Sequence, residues 1–133
     1  MKSKGLGFPD NFMDIFGFQR VAPKIVKVAQ DFHFRLSNRN KHHNDGTHTA
    51  VEFREKFLFQ YDCQDIWDTD TPTIVFDFSG VKRVSPSFAN EAFAYFLQYT
   101  DKDNLLKHFI FENIDPIDRM IVEQELNSGY KHE

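Results

Sequence analysis

The segment Thr73-Ile-Val-Phe-Asp-Phe78 constrains the fold of this chain most, because β-branched and aromatic side chains follow one another there with only Asp77 between them. Its nearly continuous apolar character predicts a buried, parallel strand. Parallel strands cannot be joined by tight hairpins, so helices have to lie between them. The flanking segments supply those helices. Upstream, Thr49-Ala-Val-Glu52 has the spacing of a capping box, and the helix it opens carries Val51, Phe53, Phe57 and Leu58 on its buried side. Downstream, Gly80 and Val-Lys-Arg-Val lead to Ser85-Pro-Ser-Phe-Ala-Asn-Glu91. There Ser85 can cap, Pro86 can take the first helical position and Glu91 favours the early helix dipole. Phe88, Ala92, Phe93, Phe96 and Leu97 would face inward.

The theme recurs in the last third of the chain. His108-Phe-Ile-Phe111 reads as another strand, and Asp115-Pro116 opens a final helix through Ile117, Ile121, Val122 and Leu126, ended by Ser128-Gly129. In the first third, Lys24 to Leu36 is rich in β-branched and aromatic residues (Ile25, Val26, Val28, Phe32, Phe34) and predicts one or two strands. A polar loop from Ser37 to Thr49 contains the turn pair Asp45-Gly46. A polar connection with Asp62, Asp65, Asp68 and Asp70 precedes the central strand. Strand and helix alternate throughout, which predicts an α/β domain over residues 23–133: a small, mostly parallel or mixed sheet with helices packed on it. Residues 1–22 read as a separate amphipathic extension, with Phe8, Phe12, Ile15 and Phe16 at helical spacing and Pro9 suited to a first turn. It packs as an extra element or, in the sharper alternative, serves as a dimerisation arm or partner-binding helix.

Composition narrows the function classes. Sixteen phenylalanines in 133 residues predict a core filled by rings. A net charge of −4 leaves no basic field for phosphate backbones, which argues against nucleic acid. No apolar run approaches the roughly 18 to 20 residues that span a bilayer, and the opening residues lack a signal-peptide core, so a cytoplasmic protein without membrane contact is expected. The single cysteine, Cys63, has no second cysteine for a disulfide or zinc pair and reads as a small, partly buried apolar residue.

Two blocks carry a resemblance. The first is Asp45-Gly46 followed by Thr49, Glu52, Phe53, Arg54 and Leu58. The second is Val75-Phe-Asp-Phe-Ser-Gly-Val81, then Ser85, Ser87-Phe88, Glu91, Ala92 and Phe93. Together they resemble the STAS-like domain of unknown function, a relative of the STAS domains of anti-sigma factor antagonists, over about residues 24–125. Where that family tends to carry Gly-Gly-Arg before its first helix, this chain has Ser37-Asn38-Arg39, so only Arg39 carries over. Pro86 also intervenes between the serines of the second block.

The resemblance implies a regulatory protein-interaction module. In the anti-sigma factor antagonists, a serine at the start of the helix after the central strand is phosphorylated by the partner ATPase. Ser87 falls at that position here, and Ser85 where those proteins usually carry an acidic residue. A phosphate there would add about −1.5 to −2 charges and switch binding by repulsion. The implied partner is a protein, with a histidine-kinase-like ATPase as its class. Asp77, Gly80, Phe88, Glu91, Arg39 and Arg54 are the candidate partner-binding residues. The plain alternatives are helix capping for both serines and a backbone-bonding strand-end residue for Asp77.

His42, His43 and His48 cluster near Asp45 but match no metal-ligand spacing, and the acidic run from Asp62 to Asp70 lacks the glycine and terminal glutamate of a calcium loop. No metal or cofactor is expected. None of GxxxxGK[ST], GxGxxG and GxSxG occurs, so the chain does not read as an enzyme. Two other classes stand beside the leading one: a self-assembling adaptor that forms homo-oligomers through its Phe-rich extension, and a small enzyme or metal protein using Arg39, the loop histidines and Arg54.

Overall fold

A computed structural model of the chain describes residues 24–40, 47–68 and 73–131. In order, these form β1 (Lys24–Lys27), α1 (Val28–Asp31), β2 (Arg35–Leu36), α2 (Ala50–Phe57), α3 (Gln64–Trp67), β3 (Ile74–Asp77), β4 (Arg83–Val84), α4 (Pro86–Ala92), α5 (Lys102–His108), β5 (Phe109–Glu112) and α6 (Pro116–Ser128). The amphipathic extension foreseen over residues 1–22 lies outside the described residues, as do His42, His43, Asp45 and Gly46.

The central strand organises the sheet as its sequence demands. β3 lies between β1 and β5, and both neighbours run parallel to it, with Lys24 in register with Ile74 and Ile74 with Phe109. A second parallel pair, β2 with β4, sits apart and aligns Leu36 with Val84. The domain is thus α/β, with a small parallel sheet and helices packed on it.

Rings fill the space between sheet and helices. Phe76 of β3 meets Phe53 of α2 at 5.9 Å between centroids, Phe93 at 5.3 Å and Phe109 of β5 at 5.5 Å. Phe93 and Phe109 approach edge-on, the geometry in which a positive ring edge faces a negative ring face. Tyr61, Trp67 and Phe96 extend the cluster toward β5, where Phe109 touches all three.

Several elements differ from the sequence expectation, each for a physical reason. The Lys24 to Leu36 stretch forms two strands, as the expectation allowed, and adds the single turn of α1 between them. The capping box at Thr49 forms in full, Thr49 Oγ1 accepting from the Glu52 amide and Glu52 Oε1 from the Thr49 amide, but Ala50 takes the interior position and Val51 is only half-buried. Helix α4 stops at Ala92, and a 3-10 segment over Ala94–Gln98 continues the chain. With three residues per turn, Phe93 and Phe96 come to one face and both reach the core, while Leu97 is left half-buried.

Two helices had no counterpart in the periodicity. α3 turns within the acid-rich connection and is pinned by Trp67 Nε1 donating to the Tyr61 carbonyl at 2.8 Å. α5 is capped by Asp101, whose carboxylate accepts from the Asn104 amide at 2.8 Å, and it ends on His108, so β5 begins one residue later than expected. Cys63 is exposed rather than partly buried, because it sits at the solvent side of the α3 entry.

Candidate functional site

The chain leaving β3 makes a turn closed by the Val81 amide donating to the Phe78 carbonyl at 2.9 Å. Gly80 occupies its third position at φ +85°, and a Cβ there would come within 3.3 Å of the Ala29 side chain, so glycine is required by conformation. Asp77 holds the turn from beneath. Its Oδ1 accepts from the Ser79 amide at 2.9 Å and from the Asn113 side-chain amide at 3.0 Å. The Asn113 bond, then the Ser79 bonds, hold the Asp77 carboxyl below its ordinary range.

Beyond the turn, the Lys82 amide donates to the Phe34 carbonyl and the Ser85 amide to the Leu36 carbonyl, which fixes β4 beside β2. Buried Asp118 of α6 accepts from the Val84 amide at 3.2 Å. The two serines then part in role. Ser85 is the N-cap of α4: its hydroxyl accepts from the Phe88 amide at 3.1 Å and donates to the Ser37 carbonyl at 3.0 Å. Ser87 is exposed on the first turn and its side chain has no hydrogen-bond partner among the described residues.

Behind this tip lies a buried ionic cluster. Glu91 of α4 pairs with Arg54 of α2, Nη2 to Oε2 at 2.6 Å, while Arg54 Nε donates to the Glu91 carbonyl at 2.9 Å. Arg39, from the segment after β2, lies with Nε 3.1 Å from Glu91 Oε1, and the Tyr130 hydroxyl donates to the same carboxylate. Arg54 also stacks on the Tyr95 ring at 3.6 Å.

Asn90 completes the cluster with its full hydrogen-bonding capacity. Its amide donates to Glu125 Oε1 and to the Gly129 carbonyl, and its oxygen accepts from Arg39 Nη2 and from the Lys131 amide. Arg39 Nη2 also donates to the Lys131 carbonyl. The segment 129–131 is thereby tied to α4. Burial, then the Glu91 carboxylate, pushes the Tyr130 hydroxyl above its ordinary value.

Of the residues singled out in the sequence, the fold brings Arg39, Arg54 and Glu91 into this one cluster and groups Asp77 and Gly80 at the turn before β4. Phe88 is wholly buried among Phe32 and Phe53, so it is part of the core rather than of a surface. Arg39 and Glu91 are likewise interior, at 6% and 5% exposure, because each satisfies the other's charge. Asn90, Glu125, Tyr130 and Lys131 escaped the sequence reading. One signal was present: Asn90 and Glu91 sit side by side in a helix whose other residues are apolar or small, and such a pair is buried only if fully partnered.

Among the described residues, other candidate chemistry does not converge. His48 stacks on His33 at 4.3 Å and borders an open depression of about 540 Å³ with Phe32, Glu52, Glu55 and Lys56, but Glu52 is already engaged in the capping box. Among the described residues no group of three or more His, Cys, Asp or Glu side chains is placed to hold a metal ion, and no helix is long and apolar enough to cross a membrane.

A parallel sheet backed by helices, with a glycine turn delivering a serine-capped helix from the central strand, defines a STAS-like α/β domain. The chain belongs to the family described as the STAS-like domain of unknown function, whose family model matches residues 49–119, more than half of its length. That membership suggests a regulatory or interaction module. No curated protein and no solved structure matches. The match takes in Arg54, Asn90 and Glu91 but ends before Glu125, Tyr130 and Lys131.

Proposed function

We propose that this chain is a non-catalytic regulatory module that binds a protein partner through the tip formed by the β3–β4 turn and the start of α4, and that phosphorylation of Ser87 switches this binding. The observation that carries the reading is the division of labour between the serines. Ser85 commits its hydroxyl to capping, whereas Ser87, one residue past Pro86, is exposed and unengaged among the described residues. A modifying enzyme can therefore reach the Ser87 hydroxyl without unfolding α4. The product carries about −1.5 to −2 added charges on the surface a partner would contact, enough to repel an acidic or apolar face. The likeness of the second sequence block to the anti-sigma factor antagonists favours a histidine-kinase-like ATPase as that partner, acting as both kinase and target.

The test is recovery of the tagged protein from its own host's extract, in wild-type and Ser87→Glu forms, with intact mass determined on each. The expected result is an ATPase that copurifies with wild type, is lost from Ser87→Glu, and accompanies a fraction heavier by one phosphate. A single unmodified mass and the same copurifying set for both forms would sink the proposal.

A further inference from the structure

The short strand pair of β2 and β4 gathers positive charge on an acidic chain. Its register sets Arg35 directly opposite Arg83, and both are exposed, whereas the next pair, Leu36 and Val84, is buried. Like charges directly opposite each other on neighbouring strands destabilise the pairing. Lys82, also exposed, precedes Arg83, and its amide donates to the Phe34 carbonyl at 2.7 Å. Among the described residues, none of these three cations pairs with a carboxylate. They stand together on a chain whose net charge is −4.

An aromatic ring lies among them. Phe34 is 45% exposed, the Arg35 guanidinium lies 5.8 Å from its ring centroid, and the His33 ring stacks on it at 4.6 Å. The Arg35 amide donates to His33 Nδ1 at 3.1 Å, which fixes the imidazole on which Phe34 rests. An exposed phenylalanine beside arginines has the composition of an interface centre, where aromatic residues and Arg are enriched. We propose, building on the reading of the tip as the partner-binding surface, that this patch recognises an acidic protein segment. Carboxylates of the partner would meet Arg35, Lys82 and Arg83, and an apolar side chain would cover Phe34.

Charge selects this occupant. Three cations make too short a track for a nucleic acid, whose binding draws on about 6 to 10 phosphate contacts. A second copy of the chain docking through the same patch would bring like charges together. The patch also gives the Ser87 switch an electrostatic target. β4 runs into α4 through Ser85, whose amide and hydroxyl donate to the Leu36 and Ser37 carbonyls, so Ser87 follows directly on the patch. It is four residues from Arg83, at most about 14 Å along the chain. A phosphate there would add about −1.5 to −2 charges and offset up to two of the three positive ones.

Titration of the isotope-labelled full-length chain with a short synthetic peptide of alternating glutamate and leucine tests this by NMR. Amide shifts are expected at Phe34, Arg35, Lys82 and Arg83, with affinity falling several-fold as salt rises, and none with the lysine-leucine counterpart. Arg35→Glu/Arg83→Glu should weaken binding about tenfold or more, and Phe34→Ala several-fold. Arg83→Glu alone should weaken binding while raising the thermal midpoint by about 1 to 3 °C through relief of the like-charge pair, so lost binding is not lost fold. Shifts centred elsewhere, binding indifferent to the double reversal, or tighter binding of a uridine oligonucleotide would overturn the proposal. Ser87→Glu separates the two readings. If it leaves peptide binding intact while Arg35→Glu/Arg83→Glu abolishes it, the patch stands and the Ser87 switch falls.

Discussion

The buried residues of helix α4 enter two environments of opposite chemistry. Toward the sheet, Phe88 and Ala92 join a cluster of rings whose contacts are many, individually weak and non-directional. Asn90 and Glu91 instead enter a cluster in which every interaction is directional and Glu91 stands between two arginines. The aromatic side can exchange one large apolar residue for another with modest loss, because volume and pattern are what it requires. The ionic side has no such tolerance. Removing one member leaves desolvated charges without a counterion, and the penalty falls on the groups that remain.

The largest effect should follow from breaking the ionic side. Glu91→Ala is expected to cost about 3 to 5 kcal/mol in chemical denaturation, because Arg39 and Arg54 would then face each other without the carboxylate between them. Phe88→Leu, an equally buried change three residues earlier in the same helix, should cost less, on the order of 1 to 2 kcal/mol. Replacing Arg39, Arg54 and Glu91 together by Met, Met and Leu should recover most of the loss, since a packed apolar set of similar volume avoids the desolvation penalty. Equal costs for Glu91→Ala and Phe88→Leu would erase the contrast.

A pH titration sharpens it from the aromatic side. Burial raises the Tyr61 hydroxyl from about 10 to about 12. The folded state therefore holds its proton more tightly than the unfolded state, and this contribution is present in full below pH 10 and lost as pH rises from 10 toward 12. About 2 kcal/mol of stability should disappear over that window, and Tyr61→Phe should remove most of the dependence.

The smallest effects belong to the two serines at the exposed end of α4. Ser85→Ala is expected to cost about 1 kcal/mol through loss of the cap, and Ser87→Ala less than about 0.5 kcal/mol, both read from thermal unfolding. A Ser87→Ala cost matching that of Ser85→Ala would mean that Ser87 is structural and would weaken its assignment as the switch.

Much of this was legible in the chain because it rests on neighbours. The Thr49 capping box, the Ser85-Pro86 helix start and the Thr73–Phe78 strand are set by residues within five positions of each other, and all three form as their spacing requires. α5 was missed because its stripe is little more than Leu105, with Asp101 as its only clear signal. The site was half legible. Arg39, Arg54 and Glu91 stood out through the family-like blocks, but nothing local says that residues 39, 54 and 91 meet, nor that Tyr130 and Lys131 close over them.

The sequence by itself determined the class of fold, since an apolar strand flanked by capped amphipathic segments has few other ways to bury its surface. It also offered Ser85 before Pro86 as a cap while leaving capping open for both serines. Only the tertiary structure decided that Ser87 stays exposed while Glu91, four residues on and one turn of helix away, is sealed between two arginines. The reason is physical: capping and periodicity act over one turn, whereas burial of a charge depends on which distant segments arrive with the opposite one, and that is set by how the helices pack on the sheet.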